Sequence, residues 1–225
     1  MKNVFFLFFL AIPSAFISCS NDEPQPTLPP ITEEGLNTFG CYVDGVLLLP
    51  VDGTPGFGGG RRAFGITFVY RKDSLRDSLR PPYFALFAGD RMQNNGPDYV
   101  YIYIPSLSSS GTYTIGPSNG YQGIDSPPNT HVFIGTYDVE KNFIKYLSYD
   151  NSGKVIISRF DTINTVISGT FELSLVDIDT KNDTIKITDG RFDINWGQFE
   201  LWAFRRRAMS IEEDSYQLKG INNTI

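Results

Sequence analysis

From Phe39 to Phe204 apolar and polar side chains alternate in short runs separated by Gly, Asp, Asn and Pro, and no other property of the chain narrows its fold as far. Successive side chains of an extended strand point to opposite faces, so each run makes a strand with one face more buried than the other. Phe64, Ile66, Phe68 and Tyr70 share one face of Arg62 to Tyr70, and Phe171, Leu173 and Leu175 point inward from Val166 to Val176. Phe39 to Val43 leads through Asp44-Gly45, the strongest short hairpin signal, into Val46 to Leu49. Further strands are expected at Tyr83 to Ala88, Asp98 to Ile104, Thr112 to Ile115, His131 to Tyr137, Phe143 to Tyr149, Lys154 to Phe160, Thr184 to Thr188 and Gln198 to Phe204. The 18 Phe and 12 Tyr reinforce strand propensity. The one helical candidate is the doubled Asp-Ser-Leu-Arg of Asp73 to Arg80, which ends at Pro81-Pro82 and reads as a loop with at most one helical turn. The expected fold is all-β: an antiparallel β-sandwich or partly closed barrel forming one domain over residues 37–204, with a tail at 205–225.

The start of the chain is built differently. Lys2 supplies a positive charge, Val4 to Phe16 is apolar apart from Ser14, and Ile17-Ser18-Cys19 follows. This is the three-part plan of a secretory signal, with an apolar run too short to span ~30 Å of hydrocarbon comfortably. Ser20 to Leu36 carries Pro24, Pro26, Pro29 and Pro30 among acidic and polar residues, a composition expected to form an extended tether.

Phe16-Ile17-Ser18-Cys19 resembles the lipobox of a bacterial lipoprotein precursor, and Ser20-Asn21-Asp22-Glu23 resembles the acidic signal that sends lipoproteins of Bacteroidota to the outer face of the outer membrane. The resemblance implies removal of residues 1–18, lipid attachment at Cys19, and a tether over 19–36. Asn37-Thr38-Phe39-Gly40-Cys41-Tyr42-Val43-Asp44-Gly45 resembles the opening strand of a group of uncharacterised Bacteroidota lipoproteins. Ile167-Ser168-Gly169-Thr170-Phe171-Glu172-Leu173, with Ile185-Lys186-Ile187-Thr188-Asp189-Gly190-Arg191-Phe192-Asp193, resembles their closing hairpin. These stretches cover the two ends of the chain and imply a β-sandwich with no catalytic residues to carry over. Physically, Ser168-Gly169 marks a bend or close packing within a strand, and Asp189-Gly190 a turn.

Composition and spacing argue against several chemistries. A net charge of −6 disfavours nucleic acid as a partner, and Arg205-Arg206-Arg207 reads as a solvated strand end. With Cys19 lipidated, Cys41 has no disulfide partner and is expected to be a small buried hydrophobe, since no base stands near it in sequence. His131 is the single histidine and no Gly-x-Ser-x-Gly elbow accompanies it. Gly58-Gly59-Gly60-Arg61-Arg62-Ala63 has dinucleotide-loop spacing but leads into a strand, where no helix N-terminus would hold a phosphate. Asp177, Asp179, Asn182 and Asp183 fail the EF-hand pattern and read as turn residues. No cofactor, metal site or catalytic residue is expected.

The most suggestive stretch is Asp98 to Ile104. Val100, Ile102 and Ile104 share the core face, which gathers Tyr99, Tyr101 and Tyr103 on the other. Tyrosines combine flat apolar faces with polar edges, suited to sugar rings or a protein partner; the competing reading is cross-strand packing or burial under a second layer. The leading expectation is a non-enzymatic, surface-tethered module binding glycan or protein, with the tyrosine row exposed. The alternatives are a glycan- or lipid-acting hydrolase, which needs a cleft with two carboxylates ~5 to ~10 Å apart, and a structural envelope protein.

Overall fold

The computed structural model describes residues 25–52, 65–71, 83–90, 99–122, 126–137, 140 and 142–198. These form eleven strands: β1 (Thr38–Val43), β2 (Val46–Leu48), β3 (Ile66–Arg71), β4 (Tyr83–Gly89), β5 (Tyr99–Pro105), β6 (Gly111–Thr114), β7 (His131–Tyr137), β8 (Phe143–Leu147), β9 (Gly153–Asp161), β10 (Val166–Asp177) and β11 (Thr184–Asn195). The fold is the expected all-β, antiparallel one, a single curled sheet shaped as a half-barrel. The stretches Gly58–Ala63, Asp73–Arg80 and Arg205–Arg207, the strand expected to end at Phe204, and Cys19 with its signal lie outside the described residues.

The sheet runs β2-β1-β11-β10-β8-β7-β5-β4-β3. The long strand β10 organises it. One edge pairs with β11; the other is shared, Val166–Leu173 pairing with β9 and Val176–Asp177 with β8. β6 adds to the free edge of β9. Curling lets distant strands meet across the interior: Phe84 of β4 stacks on Phe192 of β11 at 5.8 Å, and Tyr70 of β3 reaches Phe160 of β9 at 5.5 Å and Trp196 at 5.0 Å. At one rim Val51, beyond β2, donates its N–H to the Gly89 carbonyl of β4 at 3.1 Å, tying the β2 end of the sheet path to the strand next to its other end.

The core follows the period of two. Phe39, Cys41 and Val43 of β1, Phe84, Leu86 and Ala88 of β4, and Val100, Ile102 and Ile104 of β5 all face inward, as do Phe171, Leu173 and Leu175 of β10. Each Val, Leu, Ile or Phe among them contributes about 1.5–3 kcal/mol by leaving water. Asp44 and Gly45 both have positive φ (46° and 79°), the left-handed pair a two-residue hairpin turn requires.

Two local expectations change. Asp189-Gly190 is not a turn: β11 continues to Asn195, and the pair forms a bulge facing both neighbours, where register shifts appear opposite Phe171/Leu173 and Gly40/Tyr42. A Cβ on Gly190 would lie 2.5 Å from the Phe171 ring, so the ring occupies the space a side chain would take. The second change concerns the tether. Within residues 19–36, the stretch from Thr32 to Leu36 is docked, because Asp193 accepts hydrogen bonds from Thr32 Oγ1 (2.7 Å) and the N–H groups of Glu34 (3.0 Å), Gly35 (2.8 Å) and Leu36 (3.1 Å). The folded unit therefore begins by Thr32 rather than at residue 37.

Candidate functional site

β5 divides its residues between two environments, as alternation requires. Val100, Ile102 and Ile104 are fully buried in the main core, while Tyr99, Tyr101 and Tyr103 stand on the outer face. The tyrosines are not an open row: Tyr101 is 4% exposed, and Tyr99 and Tyr103 are half-buried. Cross-strand neighbours on the same sheet face pack against them. Tyr101 packs with Ala85, Phe133 and Leu147 in a small apolar cluster flanked by Tyr83, Phe87, Tyr99 and Tyr103.

The strand register builds this cluster. Thr67, Phe87, Tyr101, Phe133 and Leu147 lie side by side across β3, β4, β5, β7 and β8, and the adjacent row runs Val69, Ala85, Tyr103, His131. Rings pack within and between rows: Tyr101 on Phe133 at 4.9 Å, Phe87 on Tyr99 at 4.6 Å, Tyr83 on Tyr103 at 5.4 Å and Tyr103 on His131 at 5.0 Å. Such pairs add about 0.5–1.5 kcal/mol each beyond area burial. The segment after β6 crosses toward this face. Gly116 N–H donates to the Thr130 carbonyl (2.8 Å), Ser118 N–H to the Ser148 carbonyl (2.9 Å), and Lys145 Nζ to the Gly120 carbonyl (3.0 Å).

An opening lies among these rings. A cavity of about 260 Å³ sits over β3, β4 and β5, with Tyr83, Ala85, Phe87, Tyr101, Thr67 and Gln122 among its lining residues. It exists because Ala85 is small. Tyr83 and Phe87 are its i−2 and i+2 neighbours on the same face of β4, about 13 Å apart at ~3.4 Å per residue. Their rings, backed by Tyr103 and Tyr99, flank a slot over the alanine methyl. Gln122 and Thr67 supply polar groups among its lining residues.

The other candidates resolve as structure. His131 is fully buried; its Nδ1–H donates to the Asn129 carbonyl at 2.9 Å, and Nε2 has no hydrogen-bond partner. Burial lowers its pKa against the opposing pull of that hydrogen bond, so the ring is neutral at pH 7, and among the described residues no nucleophile is hydrogen-bonded to Nε2 for it to activate. Cys41 is fully buried, and burial pushes its thiol up to about 12, the reverse of what a reactive cysteine needs. Asp177 works as a turn residue: its carboxylate accepts the Asp179 N–H (2.8 Å) and the Thr180 hydroxyl (3.1 Å), while Asp183 accepts the Tyr146 hydroxyl at 2.7 Å. Among the described residues no group of three or more His, Cys, Asp or Glu is placed to hold a metal ion.

Sequence reasoning missed the role of Asp193. It is 1% exposed and accepts, besides the four donors from Thr32–Leu36, the Ser168 hydroxyl at 2.7 Å. Burial pushes its carboxyl up, but the hydrogen bonds led by Ser168 and Thr32 outweigh it and hold the pKa below the ordinary value. Hydrogen bonds from Asn164 and Arg159 likewise pull Asp161 down. A general acid for glycoside hydrolysis needs the opposite shift. No residue near Asp193 in sequence announces the clamp, since its partners lie 25 to 161 positions away. Compared with protein-family models, curated proteins and solved structures, the chain matches none of them.

Proposed function

We propose that this protein is a lipid-anchored, non-enzymatic binding module of the bacterial outer membrane, and that it takes a sugar ring into the aromatic slot on the outer sheet face. The observation that carries the reading is the slot over Ala85, flanked by Tyr83 and Phe87. Ligand pockets for drug-sized molecules run from ~300 to ~1,000 Å³, so about 260 Å³ suits one ring rather than a larger body. Aromatic walls with polar groups at the border match a sugar, which has apolar ring faces and hydroxyl edges. The anchor rests on the lipobox-like Phe16-Ile17-Ser18-Cys19 and the acidic residues that follow. Two acyl chains on Cys19 would hold the protein at a membrane where a single chain binds only reversibly.

The test is a binding screen of the detergent-solubilised protein against polysaccharides and envelope components, with Ala85→Leu to fill the slot and Tyr83→Ala to remove a wall. The expected result is saturable binding that both variants abolish while each still unfolds in one cooperative transition, Tyr83→Ala at a modestly lower temperature because it loses the ring contact with Tyr103. Binding that survives both substitutions, or no binding across the panel, overturns the reading. The anchor is tested separately by fatty-acid labelling, which Cys19→Ser should eliminate.

A further inference from the structure

Beyond Phe87 the aromatic surface continues away from the slot. Phe87 stacks on Tyr99 (4.6 Å, 24° between planes), Tyr99 on Phe143 (6.4 Å, 26°), and Phe143 meets Tyr137 edge-on at 5.3 Å. Gly135 makes this rank possible. It lies between Tyr99 and the strand of Phe143, and a Cβ there would sit 2.5 Å from Tyr99 Cε1 and 2.7 Å from Phe143 Cζ. With no side chain from β7, rings of β5 and β8 close over the backbone. The far end is open: Phe143 is 44% and Tyr137 is 47% exposed. Ala85 pairs with Tyr103, Tyr103 with His131, and Tyr137 lies six residues further along β7, so the rank ends about 20 Å from the slot floor. One sugar ring cannot touch both.

We infer that the slot holds one ring of a linear, uncharged oligosaccharide whose next rings lie along Phe87, Tyr99, Phe143 and Tyr137. This deepens the slot reading and rests on it. An extended peptide is the poorer occupant, because β4, β5 and β7 under the rank are each paired on both edges and offer no backbone hydrogen bonds to an added strand, while β8 is paired with β7 along its length and with β10 at Tyr146 and Leu147. A net charge of −6 disfavours a polyanionic glycan. What the rank presents is half-exposed rings with phenol edges, the chemistry that recognises the alternating faces and hydroxyls of a neutral sugar chain.

The test uses the full-length protein in detergent and size-fractionated fragments, one to six rings long, cut from the polysaccharide that saturates the slot in the screen. Affinity should rise on the order of tenfold or more between one ring and four. Phe143→Ala and Tyr137→Ala should cancel that gain while leaving single-ring affinity within about twofold. Both positions are nearly half exposed, so the core stays intact, which melting temperature verifies. Ala85→Leu should abolish binding at every length. Affinity independent of length, or a length gain that both rank variants leave untouched, overturns the inference while the slot reading stands; insensitivity to Ala85→Leu overturns the slot reading itself.

Discussion

Replacing Asp193 with asparagine removes a charge and one acceptor oxygen while preserving shape. In the wild type Oδ2 accepts from Thr32 Oγ1, Glu34 N and Leu36 N, and Oδ1 accepts from Gly35 N and Ser168 Oγ. The amide can be turned either way. With its NH₂ at the Oδ1 position, Ser168 can rotate to accept, but the Gly35 N–H then faces a donor. With NH₂ at the Oδ2 position, two backbone N–H groups lose their acceptor. At least one buried N–H is orphaned, at about 1–3 kcal/mol, and the remaining bonds lose the charge that made them roughly twice as strong as neutral ones. The expected destabilisation is about 2–4 kcal/mol in urea unfolding, with accelerated hydrogen exchange at Gly35 and Leu36 because the segment 32–36 loses its clamp. Because the folded-state pKa is depressed, the stabilisation is present above the unfolded value of ~3.9 and is lost as pH falls through the folded value. Asp193→Asn should flatten that acid limb. A variant within about 0.5 kcal/mol of the wild type, with unchanged exchange at residues 32–36, would refute the clamp.

His131, the single histidine, offers a clean NMR probe: its folded-state pKa should lie below 6.5, and stability should fall as pH drops below 6.5 with a slope of at most about 1.4 kcal/mol per pH unit until the folded value is reached. Titration at or above 6.5 contradicts its burial as a neutral ring. Gly169→Ala puts a Cβ 2.4 Å from the Ile156 carbonyl oxygen, a backbone atom that cannot swing away, and should cost about 2–4 kcal/mol in chemical denaturation; a cost under about 0.5 kcal/mol shows that β9 yields there. Cys41 should react with a thiol reagent only at the rate of unfolding, and rapid labelling of the native protein would show the site to be open.

What could be read from the chain was local. Period-two alternation located β1 to β10 closely, since the backbone alternates faces whatever else the strand touches. It also separated Val100, Ile102 and Ile104 from the three tyrosines. It could not say how far the tyrosines are covered, because their neighbours Phe87, Phe133 and Leu147 arrive from other strands in a register that pairing sets. The slot escaped for the same reason: Ala85 between two aromatic residues is a gap only once β5 and the segment carrying Gln122 stand beside it.

Two Asp-Gly pairs mark the boundary between what the sequence by itself determined and what only the tertiary structure decided. At Asp44-Gly45 the chain reverses between two adjacent strands, both residues take positive φ, and the local signal is sufficient. At Asp189-Gly190 the same dipeptide lies in a strand held between β1 and β10, only Asp189 is left-handed, and the pair becomes a bulge. Strand positions and inward faces are properties of neighbouring residues. The curl of the sheet, the sharing of β10 between β8 and β9, the covered tyrosines and the Asp193 clamp arise from contacts between residues far apart in the chain, and such contacts leave no mark in local sequence.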